Sequence, residues 1–110
     1  MLPNQKVSIV IPNYKDDKYL ENTLKSLLSQ TYKNIEIVLI CDEPSEEKEK
    51  LIKKYLAKDN RIKYIKNDKK QGKFKARLNG IKEATGDYIA FLDTNTYVSI
   101  DFYRSLIYKA

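Results

Sequence analysis

The sequence has no histidine and only one cysteine, Cys41. The first absence excludes Ser-His and Cys-His nucleophilic chemistry and histidine-metal sites. The second excludes an internal disulfide and a cysteine-built zinc centre. Long apolar runs are also missing. Val7 to Pro12 and Ile35 to Cys41 are the longest, far short of the ~20 residues that a membrane helix requires. The opening Met1-Leu2-Pro3-Asn4 has no charged head leading into an apolar stretch, so no secretory signal is expected. A reducing, cytoplasmic setting is the simplest fit, with peripheral attachment at the inner face of a membrane compatible with it. No linker, repeat or low-complexity segment divides residues 1–110, so a single domain is expected.

Acid is scarce in one stretch. Between Arg61 and Lys82 nine bases (Arg61, Lys63, Lys66, Lys69, Lys70, Lys73, Lys75, Arg77 and Lys82) stand against Asp68 alone. That segment is +8 in a chain of net charge +6, so the remainder is −2. A local positive patch suits phosphates, nucleic acid or an acidic membrane surface. A solvated lysine face accounts for most of these residues. No nucleic-acid-binding motif accompanies the patch, and no nucleic-acid partner is expected.

The apolar pattern alternates between two periods. Val7 to Pro12 reads as a buried strand closed by proline. Asp16 or Asp17 can cap the helix that follows, whose Leu20, Leu24, Leu27 and Leu28 form one face. Ile35 to Cys41 reads as a second buried strand. Ser45 can cap a second helix, with Leu51, Ile52, Tyr55 and Leu56 on its inner face. Arg61 to Ile65 reads as a third, less buried strand. Phe74, Leu78 and Ile81 mark a third helix, which Gly86 can end in a left-handed turn. Asp87 to Leu92 reads as a fourth strand, and Ser99 can cap a last helix carrying Phe102, Leu106 and Ile107. The order β-α-β-α-β-α-β-α implies an α/β fold: a mostly parallel sheet, helices on both faces, right-handed crossovers. Ligands of such sheets sit beyond the carboxyl ends of the strands. Those ends are Pro12 to Asp16, Asp42 to Ser45, Asn67 to Lys73 and Asp93 to Thr96.

Four groups at those ends have usable chemistry. The Asp42 carboxylate can accept a ring N–H of uracil, thymine or guanine, or can cap the next helix. Tyr14 offers an aromatic face for a base, or packs as one of nine tyrosines. Arg77 suits phosphate oxygens, or is a surface arginine. Asp93 and Asn95 offer two oxygens for a divalent cation, or form a polar turn.

In order along the chain, several segments resemble family 2 glycosyltransferases of the GT-A fold. Val7 to Tyr14 is similar to the family's opening strand and first nucleotide loop. Leu20 to Tyr32 matches the helix ending Ser-Leu-Leu-Xaa-Gln-Thr-Tyr, and Asn34 to Val38 continues it. Ala76 to Ile81 is similar to the segment before the last strand, and Gly86 to Asp93 to the strand leading into the metal motif. The resemblance implies a Rossmann-like nucleotide-binding half. Pro12 would shape the first loop, Tyr14 would stack on the base and Asp42 would bind its imide. Arg77 would lie near the nucleotide, and Asp93 and Asn95 would fill the Asp-Xaa-Asp positions for Mg²⁺ or Mn²⁺. The implied reaction is transfer of a sugar from a nucleotide donor, a UDP-sugar favoured, to an acceptor hydroxyl with inversion. The sequence departs from the family at Cys41, Glu43-Pro44, Asn95 and Thr96, which replace Asp, Gly-Ser, Asp and a frequent third acid. The family's acceptor-side half lies beyond residue 110, so a truncated domain is expected and no residue is assigned as general base. A non-catalytic nucleotide- or polyanion-binding module is the alternative, and self-association through an exposed sheet edge is expected.

Overall fold

The computed structural model describes residues 5–14, 20–30 and 32–92. Four strands form one parallel sheet: β1 (Val7–Tyr14), β2 (Ile35–Asp42), β3 (Ile62–Asn67) and β4 (Tyr88–Phe91), in the order β3-β2-β1-β4. Every residue of β2 is buried, as expected for a strand covered on both sides. Between the strands run α1 (Leu20–Leu28), α2 (Glu46–Lys58) and α3 (Lys73–Glu83).

The strand order explains which helix covers which face. From β1 to β3 the chain steps in one direction across the sheet, and α1 and α2 share a face. Val7, Ile9, Ile11, Ile37 and Leu39 pack there with Leu20, Leu24 and Leu27 of α1 and Ile52 and Tyr55 of α2. The chain then returns past β1 to form β4, and a right-handed crossover in the reverse direction puts α3 on the other face. Val10, Val38 and Ile40 meet Ala76 of α3 on that side. The expected fold class, a parallel α/β sheet with helices on both faces, is the observed one.

The apolar residues that mark α3 in the sequence do not face the sheet. Phe74 is 77% exposed, and Leu78 and Ile81 are also exposed. The inward residues are Ala76 and Gly80, both buried. A Cβ on Gly80 would stand 2.3 Å from Val10 Cγ1 and 2.9 Å from Ile40 Cδ1, so the helix lies against bare strand side chains. Gly86 also differs from expectation. Among the described glycines only Gly72 has positive φ, and α3 ends at Ala84 in an extended conformation. Gly86 is small because β1 passes beside it: a Cβ would lie 2.5 Å from Ser8 Oγ, which instead accepts Gly86 N–H at 2.8 Å.

The start of the sheet is tied by Glu36. Its buried carboxylate accepts from the hydroxyl and backbone N–H of Thr85 and pairs with Lys6 at 3.1 Å and Lys63 at 3.6 Å. Burial alone would raise this carboxyl. The Thr85 and Lys6 hydrogen bonds and the two lysine charges outweigh it and hold the group below its ordinary value.

Candidate functional site

The parallel register brings three strand ends into line. Tyr14 pairs with Asp42, and Asp42 with Asn67. Asp42 is 5% exposed, and its carboxylate organises the loop between β3 and α3. Oδ1 accepts from Asn67 Nδ2 at 2.9 Å. Oδ2 accepts from the backbone N–H groups of Gln71 at 2.9 Å and Gly72 at 3.0 Å. Gly72 is the N-cap of α3 and no side chain of its own caps the helix, so Asp42 places a negative charge at the positive end of a distant helix. The helix that directly follows Asp42 is capped otherwise: Ser45 Oγ accepts from Lys48 N at 3.2 Å. The anticipated local capping role of Asp42 is thus replaced by a long-range one.

The neighbours of Asp42 account for two departures from the family pattern. Strand alternation turns Cys41 into the α1–α2 core, where it is fully buried, so position 41 sits on the opposite face from Asp42. A carboxylate there would lose hydration; the thiol packs in the core and donates to Asn13 Oδ1 at 3.9 Å. Glu43 has φ of 48°, a left-handed conformation that costs a residue bearing Cβ about 1–2 kcal/mol. It is held by Glu43 N donating to Asn67 O at 2.9 Å and by Oε1 accepting from Lys70 N at 3.0 Å.

The remaining anticipated residues fall in three groups. Pro12 is buried near the end of β1, opposite Ile40. Arg77 is exposed on α3, with its guanidinium 5.8 Å from the centre of the Phe91 ring of β4. It therefore flanks the gap between α3 and the end of β4. The ring of Tyr14, and Asp93 and Asn95 entirely, lie outside the described residues, as do Asp16, Asp17 and the helix expected from Ser99. Among the described residues no three His, Cys, Asp or Glu side chains cluster to hold a metal.

Sequence reasoning did not single out Asn67, Gln71 and Gly72 as partners of Asp42, although it marked their loop as a strand end. It also missed Lys48, a buried lysine of α2 whose ammonium donates to Asn13 Oδ1 at the end of β1. A cavity of 470 Å³ lies at the other end of the sheet, lined by Lys6, Glu36, Arg61, Lys63 and Thr85 among others. Three of its four cations are already engaged: Arg61 with Asp59 at 2.9 Å, Lys6 and Lys63 with Glu36. It is part of the scaffold rather than of the strand-end site.

The model of the family described as Glycosyl transferase family 2 matches residues 8–110. Glycosyltransferase GlyA of Streptococcus pneumoniae serotype 4 is 33% identical over 109 residues, which cover 99% of this chain and 16% of GlyA. Among solved structures, S. aureus TarS in complex with UDP-GlcNAc superposes with a TM-score of 0.81 at 25% identity, covering 94% of this chain and 30% of that one. The mannosyltransferase PcManGT of Pyrobaculum calidifontis, in complex with GDP-Man and Mn²⁺, has a TM-score of 0.75 at 17% identity, over 86% of this chain and 29% of that one. At that identity the second likeness speaks for the fold alone. The chain thus spans well under half the length of each of these proteins.

Proposed function

The chain belongs to glycosyl transferase family 2, and from that membership we propose that it binds a nucleotide-sugar donor, a UDP-sugar in the first instance, at the carboxyl ends of β1 and β2. The observation that carries this reading is the Asp42 carboxylate. Two backbone donors fill Oδ2, whereas among the described residues Oδ1 accepts from Asn67 alone. An ionised carboxylate oxygen has two lone pairs, so Oδ1 retains one for the imide N–H of a uracil. Tyr14 is its register partner on β1, and in this reading its ring stacks on the base, a contact worth about 1–3 kcal/mol. Pro12 shapes the loop beside it and Arg77 reaches the phosphates. The UDP-GlcNAc carried by TarS supports the donor class.

Asp93 and Asn95 would hold Mg²⁺ or Mn²⁺, one carboxylate and one amide oxygen completed by phosphate oxygens and water. The donor set suits a hard cation but carries one charge fewer than two aspartates, so weak metal affinity is expected. Such a cation neutralises charge on a departing diphosphate. No residue here is assigned to deprotonate an acceptor hydroxyl, so the reading concerns donor binding. A non-catalytic nucleotide-binding module predicts the same binding. Titration of the folded chain with UDP, with and without Mn²⁺, tests the site. Saturable binding, tightened by Mn²⁺, is expected; no shift at millimolar UDP rejects the reading.

We also propose that two copies associate through β4. Among the described residues that strand pairs on one side only, with β1, and Tyr88, Ile89 and Phe91 are exposed. An apolar edge strand with unpaired backbone groups favours pairing with another chain. Light scattering should show a mass rising towards a dimer with concentration; a monomer at high concentration disproves it.

A further inference from the structure

Helix α3 has two apolar faces, and the sheet uses only one. Ala76 and Gly80 lie against β1 and β2. Phe74, Leu78 and Ile81 follow the i, i+4, i+7 spacing of a single stripe and run along the side turned away from the sheet, 77%, 44% and 42% exposed. The helical period of 3.6 residues puts Lys75 and Lys82, one heptad apart, together on one border of that stripe. Both are exposed, and no acid occurs on α3 before its last residue, Glu83. Exposed Lys69 and Lys70 precede the helix in the loop after β3.

A solvated face does not require three large apolar side chains in register, and a purely electrostatic polyanion site gains nothing from them. We propose that the outer face of α3 docks on a lipid bilayer surface rich in anionic headgroups. Phe74, Leu78 and Ile81 enter the headgroup–acyl boundary, while Lys75 and Lys82 remain at the level of the lipid phosphates. This combination is the pattern of an interfacial helix, for which apolar burial and attraction to anionic lipid act together. Charge complementarity selects the lipid over a second protein copy, because an isologous contact between two such faces would bring like lysines together. The aliphatic Leu78 and Ile81 select it over single-stranded nucleic acid, whose bases need π faces on which to stack. Three apolar side chains on a helix of 11 residues give reversible attachment rather than permanent anchoring. Because Asp42 holds Gly72, the N-cap residue of α3, docking by this face holds the strand-end site close to the membrane plane.

Co-sedimentation with vesicles tests the proposal, using phosphatidylcholine alone and phosphatidylcholine mixed with phosphatidylglycerol. The chain should pellet with the mixed vesicles, remain in solution with the neutral ones, and be released by salt. The double variant Phe74→Ser/Leu78→Ser replaces exposed side chains, so its thermal melt should stay close to that of the parent while its partition falls about tenfold or more. Lys75→Gln/Lys82→Gln should also lower the partition about tenfold. Failure of the parent chain to pellet with anionic vesicles overturns the proposal, as does partition unchanged by the serine pair. If the serine pair instead dissolves a dimer seen by light scattering, or weakens binding of a single-stranded RNA while vesicles are ignored, the face belongs to that other partner and the proposal is wrong.

Discussion

Asp42→Ala should destabilise the fold as well as remove UDP binding, and the first effect should be visible without any ligand. The substitution leaves three donors without their acceptor: Asn67 Nδ2 and the backbone N–H groups of Gln71 and Gly72. Hydrogen bonds to a charged group contribute about 1.5–3 kcal/mol each when buried. These donors are only partly buried, so water recovers part of the loss. The carboxylate's interaction with the α3 N-terminus adds about 0.3–1 kcal/mol. A net loss of about 2–4 kcal/mol is expected, a large fraction of the stability of a chain this size. At about 4–8 °C per kcal/mol, the thermal midpoint should drop by more than ten degrees or so. Asp42→Asn provides the sharper comparison. Its amide can present an oxygen to Gln71 and Gly72 or to Asn67, but not to both. It should therefore fall between the parent and the alanine variant in stability. It should still lose UDP, because an amide oxygen turned to the two backbone donors leaves an N–H group facing the imide. An alanine variant as stable as the parent would show that Asp42 does not hold the β3–α3 loop. A stable asparagine variant with unchanged UDP affinity would remove Asp42 from the base site.

The long-range bonds of Asp42 show where the sequence could be read and where it could not. The strands β1 and β2 were legible because a strand buried on both faces needs a near-continuous β-branched run, and Ile35 to Cys41 is one. The leucine spacing of α1 and Ser45 ahead of α2 were legible for the same local reasons. By contrast, the residues capped by Asp42 lie 29 and 30 positions away. No local pattern reports a contact made by bringing the end of β2 beside the start of α3. The sequence offered a helix cap as the ordinary alternative to ligand binding. In the structure Asp42 instead holds the N-cap residue of a helix other than the adjacent one. Position 41 had the opposite character. Read against the family it was a missing aspartate, and read against strand alternation it is a core position at which a thiol is the less costly residue. The ordered resemblance along the chain made the fold and the family legible together. The metal positions Asp93 and Asn95 remain a reading of that resemblance.

Helix α3 was found for the wrong reason, and Gly80 is where that matters most. Periodicity gives weight to Phe74, Leu78 and Ile81 and none to a glycine, so the residue that sets the helix-to-sheet distance had no apolar signal. Gly80→Ala tests it. In an exposed helix interior the change would stabilise by about 1 kcal/mol, since alanine restricts the unfolded chain more and favours helix. Here the new methyl would lie 2.3 Å from Val10 Cγ1 and 2.9 Å from Ile40 Cδ1. Both of those residues are fully buried between β1, β2 and α3. At these distances the helix must lift from the sheet or two core rotamers must shift. Overpacking of this kind costs about 1–3 kcal/mol, and with contacts this short the upper part of that range is expected. The sign of the effect thus separates the two environments: destabilisation if α3 packs through Gly80, stabilisation if it does not. A second substitution makes the assignment specific. Val10→Ala alone should destabilise by leaving a cavity, but combined with Gly80→Ala it removes the closer clash. The double variant should therefore be more stable than the sum of the two losses allows, by about 1–2 kcal/mol of coupling. Denaturant titrations of the four proteins measure that coupling. Strict additivity would mean that Gly80 and Val10 do not touch, and that the outer face of α3, rather than the inner one, is held by the rest of the chain.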